Sequence, residues 1–125
     1  MRKSIKGIIT KDWLVEVLAD ATYSCTWGRF GVHTDTPREL YDNAMLVNEC
    51  REEVWADVLL GGGFFLVEDN EGKEYKVSLK DFEKGLKKLI FDYPRNYANI
   101  MTDEADFYDY DGMLQCAVFG DVIYG

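Results

Sequence analysis

The stretch from Phe64 to Phe82 constrains the fold of this chain more than any other segment. Phe64, Phe65, Leu66 and Val67 lead into Asn70-Glu71-Gly72, and Glu74-Tyr75-Lys76-Val77 leads out of it. Glycine supplies the positive φ that a tight turn needs, so the two β-prone runs are expected to pair as an antiparallel hairpin. Directly behind the second run, Ser78 and Asp81 have capping-box spacing, and Val77 can staple onto Phe82 across the box. A helix is expected to start there, with Phe82, Leu86, Leu89, Ile90 and Tyr93 facing inward and Pro94 as its stop. A hairpin feeding straight into an amphipathic helix commits the chain to a mixed architecture.

The remaining elements are read around that unit. Trp13, Leu14, Val17, Leu18 and Ala21 recur at helical spacing behind Thr10, which predicts a helix over residues 12–21. Residues 23–32, aromatic and β-prone around Gly28 and Gly31, predict a strand with a bulge or a close backbone approach. Thr36-Pro37-Arg38-Glu39 offers a cap, a proline for the first helical position and a glutamate placed to bond back. The helix so started keeps its beat through Leu40, Ala44, Val47, Val54 and Val58 to the stop at Gly61-Gly62-Gly63, with Asn48 the natural point for a break. A last helix over residues 112–119 places Met113, Leu114, Ala117 and Val118 on one face, capped by Asp109 or Asp111 and ended by Gly120. Val118, Phe119, Val122, Ile123 and Tyr124 bring enough apolar surface to predict that the tail packs internally. The fold expected is α+β: a small three-stranded antiparallel sheet with about four helices packed mainly on one face.

At 125 residues and 47% hydrophobic content the chain can fill one core and not two, so residues 1–125 are expected to form a single domain. No N-terminal apolar run resembles a signal peptide and no stretch approaches the about 20 residues of a membrane span, which predicts a soluble, cytoplasmic protein. Cys25, Cys50 and Cys116 are widely spaced and His33 is the only histidine, so neither a disulfide framework nor a metal site is encoded.

Charge is distributed unevenly. Residues 1–11 hold four basic groups and no acidic ones, whereas residues 96–125 hold six acidic groups and no basic ones, within a net charge of −9. Such a surface repels phosphate backbones and anionic membranes and favours a basic protein surface. Asp103, Glu104, Asp106, Tyr108, Asp109 and Tyr110 interleave carboxylates with aromatics, a composition that can grip Arg and Lys by ion pairing and stacking. The plainer reading of the same run is a loop whose rings tuck into the core while its acids face water.

Catalytic chemistry is sparsely provided. His33 sits in a polar loop, and Gly61-Gly62-Gly63 follows a helix and enters a strand, the reverse of a phosphate-binding loop. Asp109-Tyr110-Asp111-Gly112 matches the middle of a calcium loop, but the first and twelfth ligand positions fall on Phe107 and Val118. No catalytic residue and no cofactor is therefore assigned.

The run from Ala56 to Phe64, the hairpin into Lys76 to Leu86, and the ending from Asp111 to Gly125 resemble small uncharacterised proteins of bacteriophages and mobile elements in gut bacteria. The resemblance covers residues 50–125 and brings no catalytic residues with it. The resemblance implies a bacterial cytoplasm and a setting in which short acidic proteins are often inhibitors of host defence nucleases. The leading expectation is a non-enzymatic protein that docks its acidic, aromatic segment on a basic surface of a bacterial protein, occluding a nucleic-acid site. The alternatives are a small-molecule binder using Trp27, Arg29 and His33, or an enzyme of unrecognised type.

Overall fold

The computed structural model describes residues 5–23 and 25–124. In chain order the elements are α1 (Ile5–Ile8), α2 (Lys11–Tyr23), β1 (Gly28–Val32), α3 (Arg38–Val47), α4 (Arg51–Leu60), β2 (Phe65–Asp69), β3 (Glu74–Val77), α5 (Leu79–Asp92), α6 (Pro94–Met101) and α7 (Phe107–Phe119). The strands form one antiparallel sheet in the order β1-β2-β3. This is an α+β fold.

Across the hairpin Phe65 stands opposite Val77 and Glu68 opposite Glu74. Asp69, rather than Asn70, organises the turn: its Oδ1 accepts from the N–H groups of Glu71 and Lys73, both at 2.9 Å, while Gly72 takes φ 83°. Asn70 instead reaches across to the segment before β1, Nδ2 donating to the Thr26 carbonyl at 2.7 Å. The capping box forms as its spacing predicts, with Ser78 Oγ accepting from Asp81 N at 3.3 Å and Asp81 Oδ2 accepting from Ser78 N at 2.8 Å. β1 is shorter than residues 23–32, because Tyr23 belongs to α2. It pairs with β2 without a bulge, and the close approach falls at Gly28, where a Cβ would stand 3.2 Å from the Glu68 carbonyl oxygen.

The helices outnumber the expected four. Among the described residues six have eight residues or more, and α1 is a single turn. The helix expected from Thr36 to Leu60 is two, α3 and α4, because Asn48 leaves the helical region and spends its side chain on tertiary bonds. Its Nδ2 donates to the Ala44 carbonyl at 2.9 Å and to Asp57 Oδ2 at 2.7 Å, and its Oδ1 accepts from Lys11 Nζ at 2.8 Å. Thr36 is not the cap of α3, since its hydroxyl accepts from Phe64 N at 2.9 Å and donates to Phe64 O at 3.2 Å. Pro94 both ends α5 and opens α6, where its missing N–H costs nothing. Finally, α7 begins at Phe107, ahead of the expected residue 112, because Asp106 and Asp109 make a capping box of their own.

α7 is the hub of the core. Tyr110, Met113, Leu114, Gln115, Cys116 and Ala117 are all buried, with α2, α5 and α6 packed around them. β2 buries Phe65, Val67 and Asp69 and leaves Leu66 and Glu68 partly exposed, so the sheet offers one face to the same core.

The Asn48 cluster makes one stability prediction. Burial raises the Asp57 carboxyl, but the hydrogen bonds from Asn48 and Lys11 outweigh it and hold the group below its ordinary value. A depressed carboxylate contributes stability above the ordinary aspartate range, and that contribution is lost as pH falls through the depressed value. Urea denaturation is expected to show a steeper loss of stability below about pH 4 for the wild type than for Asp57→Asn, which has no proton to take up. Parallel acid limbs for the two proteins would contradict this.

Candidate functional site

The loop between α6 and α7 carries Asp103, Glu104 and Asp106, and all three are exposed. Asp103 lies in the left-handed region at φ 59°, which aspartate tolerates better than most residues. Asp106 caps α7, its Oδ1 accepting from Tyr108 N at 3.0 Å and Asp109 N at 3.2 Å. Tyr108, on the first turn, is 64% exposed.

Asp109 and Tyr110, which the sequence groups with the same contact surface, are buried, because a helix starting at Phe107 turns both inward. Asp109 accepts from Asp106 N at 3.1 Å, Asn96 Nδ2 at 2.8 Å and Asn99 Nδ2 at 3.3 Å, tying α6 to α7. Tyr110 donates to Glu16 Oε1 of α2 at 2.5 Å. Burial first, then the bond and charge of Glu16, push its phenol well above the ordinary range. Both residues position the acidic loop and leave no side chain free to meet a partner.

Tyr110 also joins the loop to a stripe that the sequence reading does not single out. Asp12, Glu16 and Asp20 recur every fourth residue on the exposed side of α2, and the charges of Glu16, Asp20 and Asp103 all bear on the Tyr110 phenol. Burial, and then the neighbouring Glu16 charge, raise the Asp20 carboxyl. Among the described residues no Lys or Arg forms an ion pair with Asp12, Glu16, Asp20, Asp103, Glu104 or Asp106. Elsewhere such pairs are common: Lys11–Asp57, Arg29–Glu68, Arg38–Asp42, Lys76–Asp35 and Lys88–Asp92. The four-residue spacing opposite Trp13 and Val17 is the signal that would have found the stripe.

Beside the loop, Thr26, Trp27, Asn70, Tyr108, Asp111 and Tyr124 line a cleft of about 600 Å³. Trp27 Nε1 donates to Asp111 Oδ1 and Gln115 Nε2 to Asp111 Oδ2, each at 2.6 Å, so both carboxylate oxygens are held. Tyr124 stacks on Trp27 with ring centroids 5.7 Å apart and planes 7° from parallel. The tail that carries it is fixed by Gln115 Oε1, which accepts from Ile123 N at 2.9 Å and Tyr124 N at 2.8 Å. No local motif announces this cleft, since Trp27 and Asp111 are 84 positions apart.

No family model, curated protein or solved structure matches this chain. The functional reading therefore rests on the geometry. Trp27, Arg29 and His33 do not converge: Trp27 borders the cleft, Arg29 projects outward to Glu68 at 3.1 Å, and His33 lines a separate cavity of about 460 Å³ with Arg38, Tyr41 and Asp42. Cys25 borders the first cleft, whereas His33 lines the second cavity. All three thiols are shifted away from the thiolate form: Cys25 chiefly by burial, Cys116 up to about 11 by burial, and Cys50 by its hydrogen bond to Glu53. Among the described residues no group of three or more His, Cys, Asp or Glu side chains is placed to hold a metal ion, and no helix is long and apolar enough to cross a membrane.

Proposed function

We propose that this is a small, acidic, non-enzymatic binding protein of phage or mobile-element type, which docks its acidic, aromatic face on a basic surface of a bacterial protein. The observation that carries the reading is the meeting of the α2 stripe and the α6–α7 loop in one face whose carboxylates have no cationic partner among the described residues. Like charges held together repel one another, and Asp103 and Glu104 follow the C-terminal end of α6, where the helix dipole disfavours them. A basic partner relieves both costs and is steered toward the face by its field. The partner class that fits is a cytoplasmic defence protein whose basic surface binds nucleic acid. Covering that surface occludes the nucleic acid, while the acidic protein itself is repelled by phosphates.

The triple variant Asp103→Asn, Glu104→Gln, Asp106→Asn tests this without disturbing the fold. Asparagine caps a helix as well as aspartate, and removing acids beyond a helix C-terminus is neutral or stabilising by up to about 1 kcal/mol. The melting temperature should hold. Capture of a partner from bacterial lysate should fall, the wild-type interaction should weaken as salt screens charges over about 8 Å, and heparin should displace it. Equal retention of the same partner by both proteins at low and high salt would overturn the reading.

A further inference from the structure

Resting on that docking reading, we propose that the cleft beside the acidic loop receives one arginine side chain of the basic partner, its guanidinium forked on the Asp111 carboxylate and lying against the rings of Tyr108 and Tyr124. Among the described residues Asp111 is the only side-chain carboxylate that lines the cleft, and no Lys or Arg of those residues pairs with it. Its two internal donors, the Trp27 indole and the Gln115 amide, are neutral, so they orient the carboxylate and leave its charge uncompensated. A carboxylate accepts about four hydrogen bonds. One is used on each oxygen, which leaves one acceptor site on each oxygen for a further donor. A planar guanidinium presents two parallel N–H groups to such a pair, whereas a lysine ammonium is a point charge that cannot use both.

The walls suit the same group. Tyr108, Phe107 and Tyr124 are 64%, 43% and 38% exposed, so their rings are open to an incoming side chain. A guanidinium is weakly hydrated and stacks on aromatic faces. The surrounding charge is negative on both sides: Asp106 stands at the start of α7, and across the cleft Asp69 and Glu71 flank Asn70. Burial first, then the Asp69 and Glu71 charges, raise the Tyr124 phenol, which places those carboxylates within electrostatic reach of the cleft wall. An anionic occupant is disfavoured there. Because Asp111, Trp27 and Tyr124 are already locked by Gln115 and by ring stacking, little ordering remains to be done on binding.

The test uses acetyl-glycyl-arginyl-glycine amide and its lysine counterpart as probes, titrated into the isotope-labelled full chain while the Trp27 indole N–H resonance is followed. The arginine peptide should give a saturable shift, and the lysine peptide should bind at least about threefold more weakly, since it loses the forked contact. Tyr108→Ala removes an exposed ring and should weaken the arginine peptide by roughly two- to fivefold. Asp111→Asn, with its melting curve recorded beside it, should weaken the peptide by about tenfold or more. No saturable shift, an equal response to both peptides, or unchanged affinity in both variants would each overturn the proposal. The triple variant of the acidic loop keeps Asp111 and the rings of the cleft, so it should still bind the arginine peptide, weakened by no more than the loss of the neighbouring Asp106 charge. Loss of partner capture in that variant with no peptide binding in any form overturns the cleft assignment alone, whereas undiminished capture overturns the docking reading itself.

Discussion

Gln115→Leu is expected to lower the melting temperature by roughly 9–15 °C, corresponding to a loss of about 3 kcal/mol. The residue is fully buried, and every hydrogen-bonding position of its amide is used. Nε2 donates to Asp111 Oδ2 at 2.6 Å and to the Tyr124 carbonyl at 3.1 Å, while Oε1 accepts from the N–H groups of Ile123 and Tyr124. Leucine has a similar volume, so the change isolates the polar term. Two backbone donors and one carbonyl lose their buried partner, and Asp111 loses one of the two donors that hold it. The apolar surface of the tail compensates less than its composition suggests, since Ile123 is 58% exposed. The tail still keeps the stack of Tyr124 on Trp27, the contact of Tyr124 with Phe119, the packing of Val122 on the core and the bond from Tyr93 OH to Asp121 Oδ1 at 2.6 Å. Deleting Asp121–Gly125 removes those as well, so deletion and Gln115→Leu should combine to less than the sum of their separate effects. Calorimetry measures both, and a Gln115→Leu melt that overlays the wild type would mean that the amide contributes nothing to holding the tail.

The second large effect is expected at Gly85, where α5 crosses α7. A Cβ added there would stand 2.6 Å from Ala117 N, 2.7 Å from Ala117 Cα and 2.7 Å from Cys116 C, all of them backbone atoms that cannot rotate away. Glycine to alanine inside a helix ordinarily gains about 1 kcal/mol from propensity. Here the helices must separate, and the overpacking cost wins: Gly85→Ala should be net destabilising by about 2 kcal/mol, or roughly 6–10 °C. Gly112, inside α7, gives the opposite sign with the same substitution. An added Cβ there meets only Val122 Cγ2, at 3.8 Å, so Gly112→Ala should gain about 0.5–1 kcal/mol. Equal effects at the two sites in thermal melts would show that the α5–α7 approach does not limit the packing.

What could be read without the tertiary structure was local. The Asn70–Gly72 turn and the Ser78–Asp81 box are closed by groups within a few residues of each other, and both form where their spacing predicts. Thr36 shows the limit of that logic. Its hydroxyl has an ideal position to cap α3, yet it pairs with both backbone groups of Phe64, 28 residues away, because the fold brings that strand end within reach. At α7 the signal was present but outweighed. Asp106 and Asp109 have capping-box spacing, while Gly112 looks like a place for a helix to begin; in the folded chain the tertiary contacts of α7 carry the helix through the glycine.

The same division runs through the candidate site. Exposure of Asp103, Glu104 and Asp106 follows from composition, since a run so rich in carboxylates cannot all be buried, whereas the exposure of the Tyr108 ring was decided by the fold. Burial of Asp109 and Tyr110 depends on α7 starting at Phe107, since a helix that reaches back to that residue carries the inward face of Met113 and Leu114 three to four positions further, onto Asp109 and Tyr110. The sequence by itself determined the sign of the charge on this end of the molecule, the hairpin turn and the Ser78–Asp81 box, whose bonds close within a few residues. Only the tertiary structure decided that Glu16 meets Tyr110 across 94 positions and Trp27 meets Asp111 across 84. Side-chain spacing encodes a helix face, but the partner that face meets is chosen by how α2, α5 and the tail pack around α7.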